Sequence, residues 1–368
     1  MKFSVQLEHL LTLLQHVVGA VERRQTAPVL GNVLIEANNG TVTITATDSE
    51  IEMQAHVGIH IDQDGAVTVP ARKLLDICKN LPSSARADFE VKGDKVLFKS
   101  GRSRFTLATL PAAEFPKVDA LKSPQKVAVT AAELRQCIRA TAFSMAQQDV
   151  RFYLNGMLLE IAASRLSCVA TDGHRLAYSQ TKTEAEPEQP VRVIIPRKSI
   201  TELQRLLATV DTEVPVELLV TAQYLQIHVG DVRLTSKLID GKFPDYNRVI
   251  PIDGNKELVI DCLTLKQSLT RASVLSNEKY RGVRISLKTG VLTVSSNNPE
   301  QEEAIDELEV DYSGESTEIG FNVTYLLDVL SAIDEENARI LLKDGNSSAL
   351  ITPESDGDSK YVVMPMRL

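Results

Sequence analysis

Val42, Ile44 and Ala46 alternate with threonines before Asp48, the period of two that marks a half-buried strand. The pattern returns 124 positions later as Leu166, Cys168, Ala170 and Asp172, and after a further 126 as Leu292, Val294, Ser296 and Asn298. A second pattern has the helical period: Leu74, Ile77, Cys78 and Leu81 fall at i, i+3, i+4 and i+7. It recurs as Ile200, Leu203, Gln204, Leu207 and as Leu326, Val329, Leu330, Ile333. A third element, Gly31-Asn32-Val33, reappears as Asn155-Gly156-Met157 and Arg281-Gly282-Val283. Independent periodicities whose offsets agree within two residues imply a chain that repeats itself three times.

Each repeat is expected to open with a helix: Leu7, Leu10, Leu11, Leu14, Val17 and Val18 in the first, Leu134, Cys137, Ile138 and Thr141 in the second, and a weaker Leu265, Leu269 and Ala272 in the third. Thr130 with Glu133 reads as a capping box for the second. Phe115-Pro116, Phe243-Pro244 and Met364-Pro365 punctuate the repeat ends. Solenoid repeats span only about 20–45 residues, so units of this size are whole domains. Two helices among many short strands predict an α+β class, three tandem copies with helices on one side of the sheets. The expected domains are 1–122, 123–251 and 252–368, with turn-like boundaries near 121–124 and 250–253.

The 368 residues are 43% hydrophobic, enough for more than one core. No apolar run approaches the ~20 residues that cross a bilayer, and the start lacks a signal-peptide pattern, so a cytoplasmic protein is expected. Cys78, Cys137, Cys168 and Cys262 lie far apart with no metal-ligand spacing and read as reduced core thiols; no metal and no cofactor is expected.

A net charge of −9 argues against nucleic-acid binding by the surface at large. Its distribution changes the picture. Arg72, Lys73, Lys79 and Asn80 lie off the apolar stripe of the first repeated helix, Arg197, Lys198 and Arg205 off its second copy, and Arg135 and Arg139 share a face of another helix. Residues 298–318 instead hold nine carboxylates, with Glu300, Glu302 and Glu303 among them, and no Lys or Arg. Cations on equivalent helices could line a cavity that touches phosphates without reading bases.

Phosphate-loop, dinucleotide, nucleophile-elbow and zinc-protease motifs are absent. Asp172 two residues before His174 could orient a general base, yet Asp48 and Asn298 at the matching places have no such histidine. The alternative is a turn with His174 and Arg175 as an outward polar fringe. With the apolar C-terminus around Met364 and Met366, it would frame a groove for varied apolar partners.

Seven strings in order carry a family resemblance: Arg24-Gln-Thr-Ala-Pro28-Val-Leu-Gly-Asn32, Asp149-Val-Arg151-Phe-Tyr-Leu154-Asn-Gly156, Ala170-Thr-Asp-Gly-His-Arg-Leu176, Asp240-Gly-Lys-Phe-Pro-Asp-Tyr246, Ser276-Asn-Glu-Lys-Tyr-Arg-Gly-Val283, Ser296-Asn-Asn-Pro-Glu-Gln-Glu-Glu303 and Tyr361-Val-Val-Met-Pro-Met-Arg-Leu368. Along its whole length the chain resembles the beta subunits of bacterial DNA polymerase III, the replication sliding clamps. The resemblance implies a head-to-tail homodimer closing a ring around double-stranded DNA, helices inside and sheets outside, a non-enzymatic subunit that confers processivity. It implies DNA contacts from Arg24, Arg72, Lys73, Gln148, Arg151, Tyr153, Arg197 and Lys198. A groove lined by Leu154, Thr171, Gly173, His174, Arg175, Leu176, Pro244, Arg248, Val249, Asn322, Tyr325, Ser348, Val362, Met364, Pro365, Met366 and Arg367 would take short peptides of the polymerase III alpha subunit, other polymerases, the clamp loader and repair proteins. The ring seam would pair Phe105 and Leu107 with Val274 and Leu275 of a second copy, flanked by Lys73 facing Glu300, Glu302 or Glu303. Tyr280, where the family favours Phe, and Gln25, where Pro is common, depart from the pattern.

Two rivals remain on sequence alone: a hydrolase centred on Asp172 and His174, and a three-domain peptide-binding scaffold without a DNA role.

Overall fold

The computed structural model describes residues 1–21, 27–355 and 357–367. Six α-helices fall at the repeat spacing among them: α1 (Leu7–Val17), α2 (Ala71–Lys79), α3 (Ala131–Thr141), α4 (Arg197–Leu207), α5 (Cys262–Ser273) and α6 (Val323–Ala332). One expectation needs correcting. A strand precedes the first helix of every repeat, at Lys2–Gln6, Gln125–Thr130 and Lys256–Asp261, because these short alternating runs pair with distant strands that a local period does not reveal. On α1, Leu13 is buried where Leu11 was expected. On α2, Leu74, Leu75 and Cys78 are buried, whereas Leu81 lies beyond the helix end. Asp261 caps α5 by accepting the Thr264 N–H at 2.7 Å, and Asn322 caps α6 by accepting that of Thr324 at 2.9 Å.

The chain divides into two compact units, Met1–Ala132 with Ala185–Glu188 and Lys198–Leu238, and Glu133–Glu184 with Gln189–Arg197 and Ile239–Leu368. The first holds a five-stranded sheet in the order Ile61–Gln63, Lys2–Gln6, Arg86–Lys92, Lys95–Ser100, Ser103–Ala108. Its second sheet has eight strands in the order Gln125–Thr130, Pro215–Val220, Tyr224–Val229, Val232–Lys237, Ile51–Gly58, Thr41–Thr47, Asn32–Asn38, Gly65–Pro70. In the other unit, an eight-stranded sheet runs Val191–Pro196, Gly156–Ala162, Arg165–Thr171, Arg175–Lys182, Ser359–Val363, Ala349–Pro353, Asn337–Leu342, Lys256–Asp261. Its four-stranded sheet runs Glu303–Glu309, Val291–Asn297, Gly282–Lys288, Thr317–Asn322.

Each eight-stranded sheet therefore fuses half of one repeat to half of the next. The junctions are antiparallel: Ile51–Gly58 against Val232–Lys237, with Thr235 opposite Glu52, and Arg175–Lys182 against Ser359–Val363, with Val362 opposite Leu176. The sheets are thus not confined to single repeats, since exposed edges are satisfied by pairing with the neighbouring repeat. Among the described residues, two strands equivalent to those at the junctions keep a free edge: Ser103–Ala108 ends the five-stranded sheet and Glu303–Glu309 ends the four-stranded one.

The core of the first unit includes Phe3 stacked on Phe89 at 4.9 Å, with Phe98 edge-on to Phe89. A core of the second gathers Leu265, Leu269, Phe321, Leu326 and Tyr361. All four cysteines are buried and free.

Candidate functional site

The segment Thr171–Leu176 reverses the chain between two strands, and its polar groups are spent on that turn. Asp172 Oδ1 accepts the N–H groups of His174 (2.9 Å) and Arg175 (3.0 Å), while Arg175 Nε donates to Oδ2 at 3.1 Å. Thr171 Oγ1 donates to the Arg175 carbonyl at 2.6 Å and accepts the Gly173 N–H at 3.1 Å. Gly173 sits at φ +89°, a left-handed conformation that favours glycine. The Asp172 carboxylate holds the turn and Arg175, which removes the geometric basis of the hydrolase reading.

Arg175 was expected in an outward fringe; its side chain is only 11% exposed. Nη1 donates to Asp328 Oδ2 at 2.6 Å and Nη2 to the Phe143 carbonyl at 2.7 Å. The guanidinium lies 4.5 Å from the centroid of the Tyr325 ring and 5.2 Å from that of Phe143. With two carboxylates and two ring faces to satisfy it, Arg175 belongs inside. His174 does stay exposed, and its carbonyl accepts the Met364 N–H at 2.9 Å.

Beside this turn lies a cavity of about 140 Å³. It brings together nine of the residues expected in the groove: Leu154, Thr171, Gly173, Arg175, Leu176, Pro244, Val249, Val362 and Met364. Leu154, Leu176 and Val362 give it a buried apolar floor. Phe243 and Tyr246 also line it; sequence reasoning missed them, although the Phe-Pro mark at the repeat end was the available signal. Tyr246 stacks on Tyr178 at 5.6 Å and donates to Glu160 Oε2 at 2.7 Å. Burial and that carboxylate push its hydroxyl pKa up.

Arg151 and Tyr153 were expected among the DNA contacts, yet both line this cavity. Arg151 donates through Nε and Nη2 to the Asp149 carboxylate at 3.0 and 2.9 Å, and through Nη2 to the Asp172 carbonyl at 3.3 Å. Those donors and the Arg151 N–H hold the Asp149 pKa down to about 2.

The other groove candidates stand outside the cavity lining. Ser348 Oγ donates to Met364 Sδ at 2.9 Å. Arg248 is exposed and pairs with Asp245 at 3.0 Å, Asn322 caps α6, Tyr325 lies against Arg175, and Pro365 is half-buried. Met366 and Arg367 line a different cavity, of about 420 Å³, with Tyr280, Asn298 and Pro299.

Arg72 and Lys73 are exposed on α2. Gln148 is exposed with a left-handed φ of +57°. Arg24 lies outside the described residues, as does Gln25. The cations of the equivalent helices are less free than their pattern suggested. Lys198 pairs with the Asp48 carboxylate and donates to the Ala20 carbonyl, Arg197 donates to the Met145 carbonyl at 2.7 Å, Arg205 pairs with Glu202 at 2.8 Å, and Arg139 pairs with Asp334. Carboxylates and backbone carbonyls distant in sequence or one turn away account for this.

At the proposed seam, Phe105 is half-buried 6.3 Å from Phe98 and Leu107 is buried. Val274 is 75% exposed, Leu275 half-buried, and Glu300, Glu302 and Glu303 are exposed.

Three family profiles match in order: DNA polymerase III beta subunit N-terminal domain over residues 1–119, central domain over 128–245 and C-terminal domain over 247–367. The chain belongs to the DNA polymerase III beta subunit family. Curated relatives named beta sliding clamp include those of Pseudomonas putida, 50% identical over 369 residues, and Escherichia coli K12, 48% identical over 370, with both chains covered completely in each case. A crystal structure of the DNA polymerase sliding clamp from Pseudomonas aeruginosa has a TM-score of 0.95 at 48% identity, covering all of both chains. The three tandem domains are those of a sliding clamp, a non-catalytic subunit serving processivity of polymerase III. Among the described residues no helix is long and apolar enough to cross a membrane.

Proposed function

We propose that two copies of this chain close head to tail into a ring around duplex DNA, and that the ring tethers polymerases carrying short clamp-binding peptides. The observation that carries this reading is the pair of free sheet edges. Twice along the chain a strand ending one repeat pairs with a strand of the next, and the third such pairing lacks its partner in each direction. Ser103–Ala108 and Glu303–Glu309 are the two missing halves, so a second copy supplies what the first lacks and the rotation closes. By analogy with Ser236 opposite Ile51 and Leu234 opposite Met53, Leu107 would face Glu302 of the partner subunit, and Phe105 Ala304 of the partner subunit. Arg102 and Arg104 at one edge complement the carboxylates of residues 302–309 at the other. Domain limits of 1–122, 123–251 and 252–368 fit this scheme.

A closed ring needs only weak phosphate contacts; among the described residues Arg72, Lys73 and Gln148 are exposed candidates for them, and Arg24 is a candidate by family resemblance. Arg197 and Lys198 would act while also held by their protein partners. The apolar floor of Leu154, Leu176 and Val362, with Met364 beside it, suits the anchor side chains of a peptide. Such peptides would come from the polymerase III alpha subunit, other polymerases, the clamp loader and repair proteins, all acting in the cytoplasm.

The deciding experiment loads the purified protein onto circular plasmid with an active clamp loader and ATP, then linearises the DNA. Retention on circles and loss from linear molecules is expected. Equal retention on both would leave the scaffold reading in its place.

A further inference from the structure

The three-fold repeat gives the peptide cavity a counterpart in the first unit, and the same hydrogen bonds build both. Thr47 Oγ1 donates to the Ile51 carbonyl (2.8 Å) and accepts the Ser49 N–H (3.0 Å), as Thr171 does with Arg175 and Gly173. Asp48 Oδ1 accepts the N–H groups of Glu50 (2.9 Å) and Ile51 (2.8 Å), as Asp172 does for His174 and Arg175. The Lys237 N–H donates to the Glu50 carbonyl at 2.8 Å, as that of Met364 does to His174. Ser49 holds a left-handed φ of +78°, matching Gly173.

Built alike, the two cavities differ in chemistry and size. Glu52 replaces Leu176 and Thr235 replaces Val362 in the same strand pairing, and Lys237 replaces Met364 as the donor to the turn carbonyl. The cavity lined by Thr47, Ser49, Lys122, Gln223 and Lys237 encloses about 700 Å³ against about 140 Å³. Glu52 itself points away from the opening: Oε2 accepts the Val118 N–H at 2.9 Å and Oε1 lies 3.5 Å from Arg233. Lys117, also on the lining, is held by Glu36 at 2.7 Å. Lys122 and Lys237 are exposed, and neither has a carboxylate partner among the described residues. Among the described residues Asp119 is the sole acidic group on the lining.

We propose that this cavity is a second peptide-binding groove of inverted chemistry, taking an acidic extended segment whose carboxylates pair with Lys122 and Lys237. Two of the three positions that floor the other cavity carry Glu52 and Thr235 here, and Leu30, the counterpart of Leu154, is buried away from the lining, so an apolar anchor finds little to seat on. Cation–carboxylate pairing at a half-enclosed site discriminates by charge sign. That the occupant is an extended segment rests on the peptide reading of the other cavity; that it is acidic is argued from Lys122 and Lys237 on this lining alone.

The test labels a Gln223→Cys variant of the full-length protein with an environment-sensitive fluorophore, which the four buried native cysteines leave selective, and titrates it with hexaglutamate. A saturable response is expected, weakened at least ten-fold by Lys122→Glu with Lys237→Glu and absent with hexalysine. The double variant should keep the parental unfolding midpoint, since both lysines are exposed. Lys122→Arg with Lys237→Arg should restore the response if that midpoint falls. Three results would overturn the proposal: no saturation, an unchanged response in the double variant, or an equal response to free glutamate or inorganic phosphate at matched anion concentration.

Discussion

Arg175 Nη1 and Asp328 Oδ2 lie 2.6 Å apart, tying the turn before the strand Arg175–Lys182 to α6 across 153 residues of sequence. The same guanidinium holds Asp172 and rests on the ring of Tyr325. Replacing it by alanine strands two carboxylates near a largely buried site. Arg175→Ala should destabilise the chain by about 2–4 kcal/mol, and Arg175→Lys should recover only part of that, because one ammonium cannot reproduce the planar fork. Urea unfolding midpoints of the three proteins check this; a fully restored midpoint in the lysine variant would count against it.

Met364 borders the cavity half-buried, and its side-chain removal should weaken an apolar clamp-binding peptide by about 1–2 kcal/mol. Fluorescence anisotropy with a labelled peptide measures the change. The unfolding midpoint of Met364→Ala should stay close to the parent, since the floor beneath is made by Leu176 and Val362.

Val274 is exposed in the isolated chain but buried at the seam if the ring closes as proposed. Val274→Glu would then place an unpaired charge in an apolar contact. Sedimentation velocity should find the dimer dissociating at concentrations at least ten-fold higher, with monomer stability unchanged. A dimer of parental affinity would exclude Val274 from the interface.

Glu52 is buried, and desolvation raises its pKa above the ordinary glutamate value despite Arg233 and the Val118 N–H. The folded state therefore holds this proton more tightly than the unfolded one. Its contribution favours folding at low pH and is lost as pH rises from the unfolded value through the raised folded one. Glu52→Gln keeps an acceptor for Val118 and removes the charge. It should be the more stable protein at pH 7, with the gap closing as pH falls through the raised folded value and closed once the pH is below the ordinary glutamate value. Denaturation midpoints across that range decide; a gap that widens on acidification would contradict the assignment.

Much of the architecture was legible because a repeat writes the same physical demands three times. Apolar periods of two and of 3.6 placed the core strands and all six helices, and the charge contrast between α2 and residues 298–318 was a matter of composition. The leading strands at Lys2–Gln6, Gln125–Thr130 and Lys256–Asp261 were not legible, since short runs acquire strand identity only from the partner they meet.

The candidate site divides similarly. Sequence placed Leu154, Leu176, Val362 and Met364 together through a resemblance, but could not separate Arg175, satisfied inside by Asp172, Asp328 and Tyr325, from exposed His174. It also could not tell Lys198, claimed by Asp48, from Lys73 on an open helix face. Local pattern determined what each segment is, because hydrophobic period and turn chemistry act over a few residues. Which charges are spent, which edges stay open and which copy of a repeated cavity is apolar were decided by the tertiary structure alone, because pairing and burial depend on groups more than a hundred residues away.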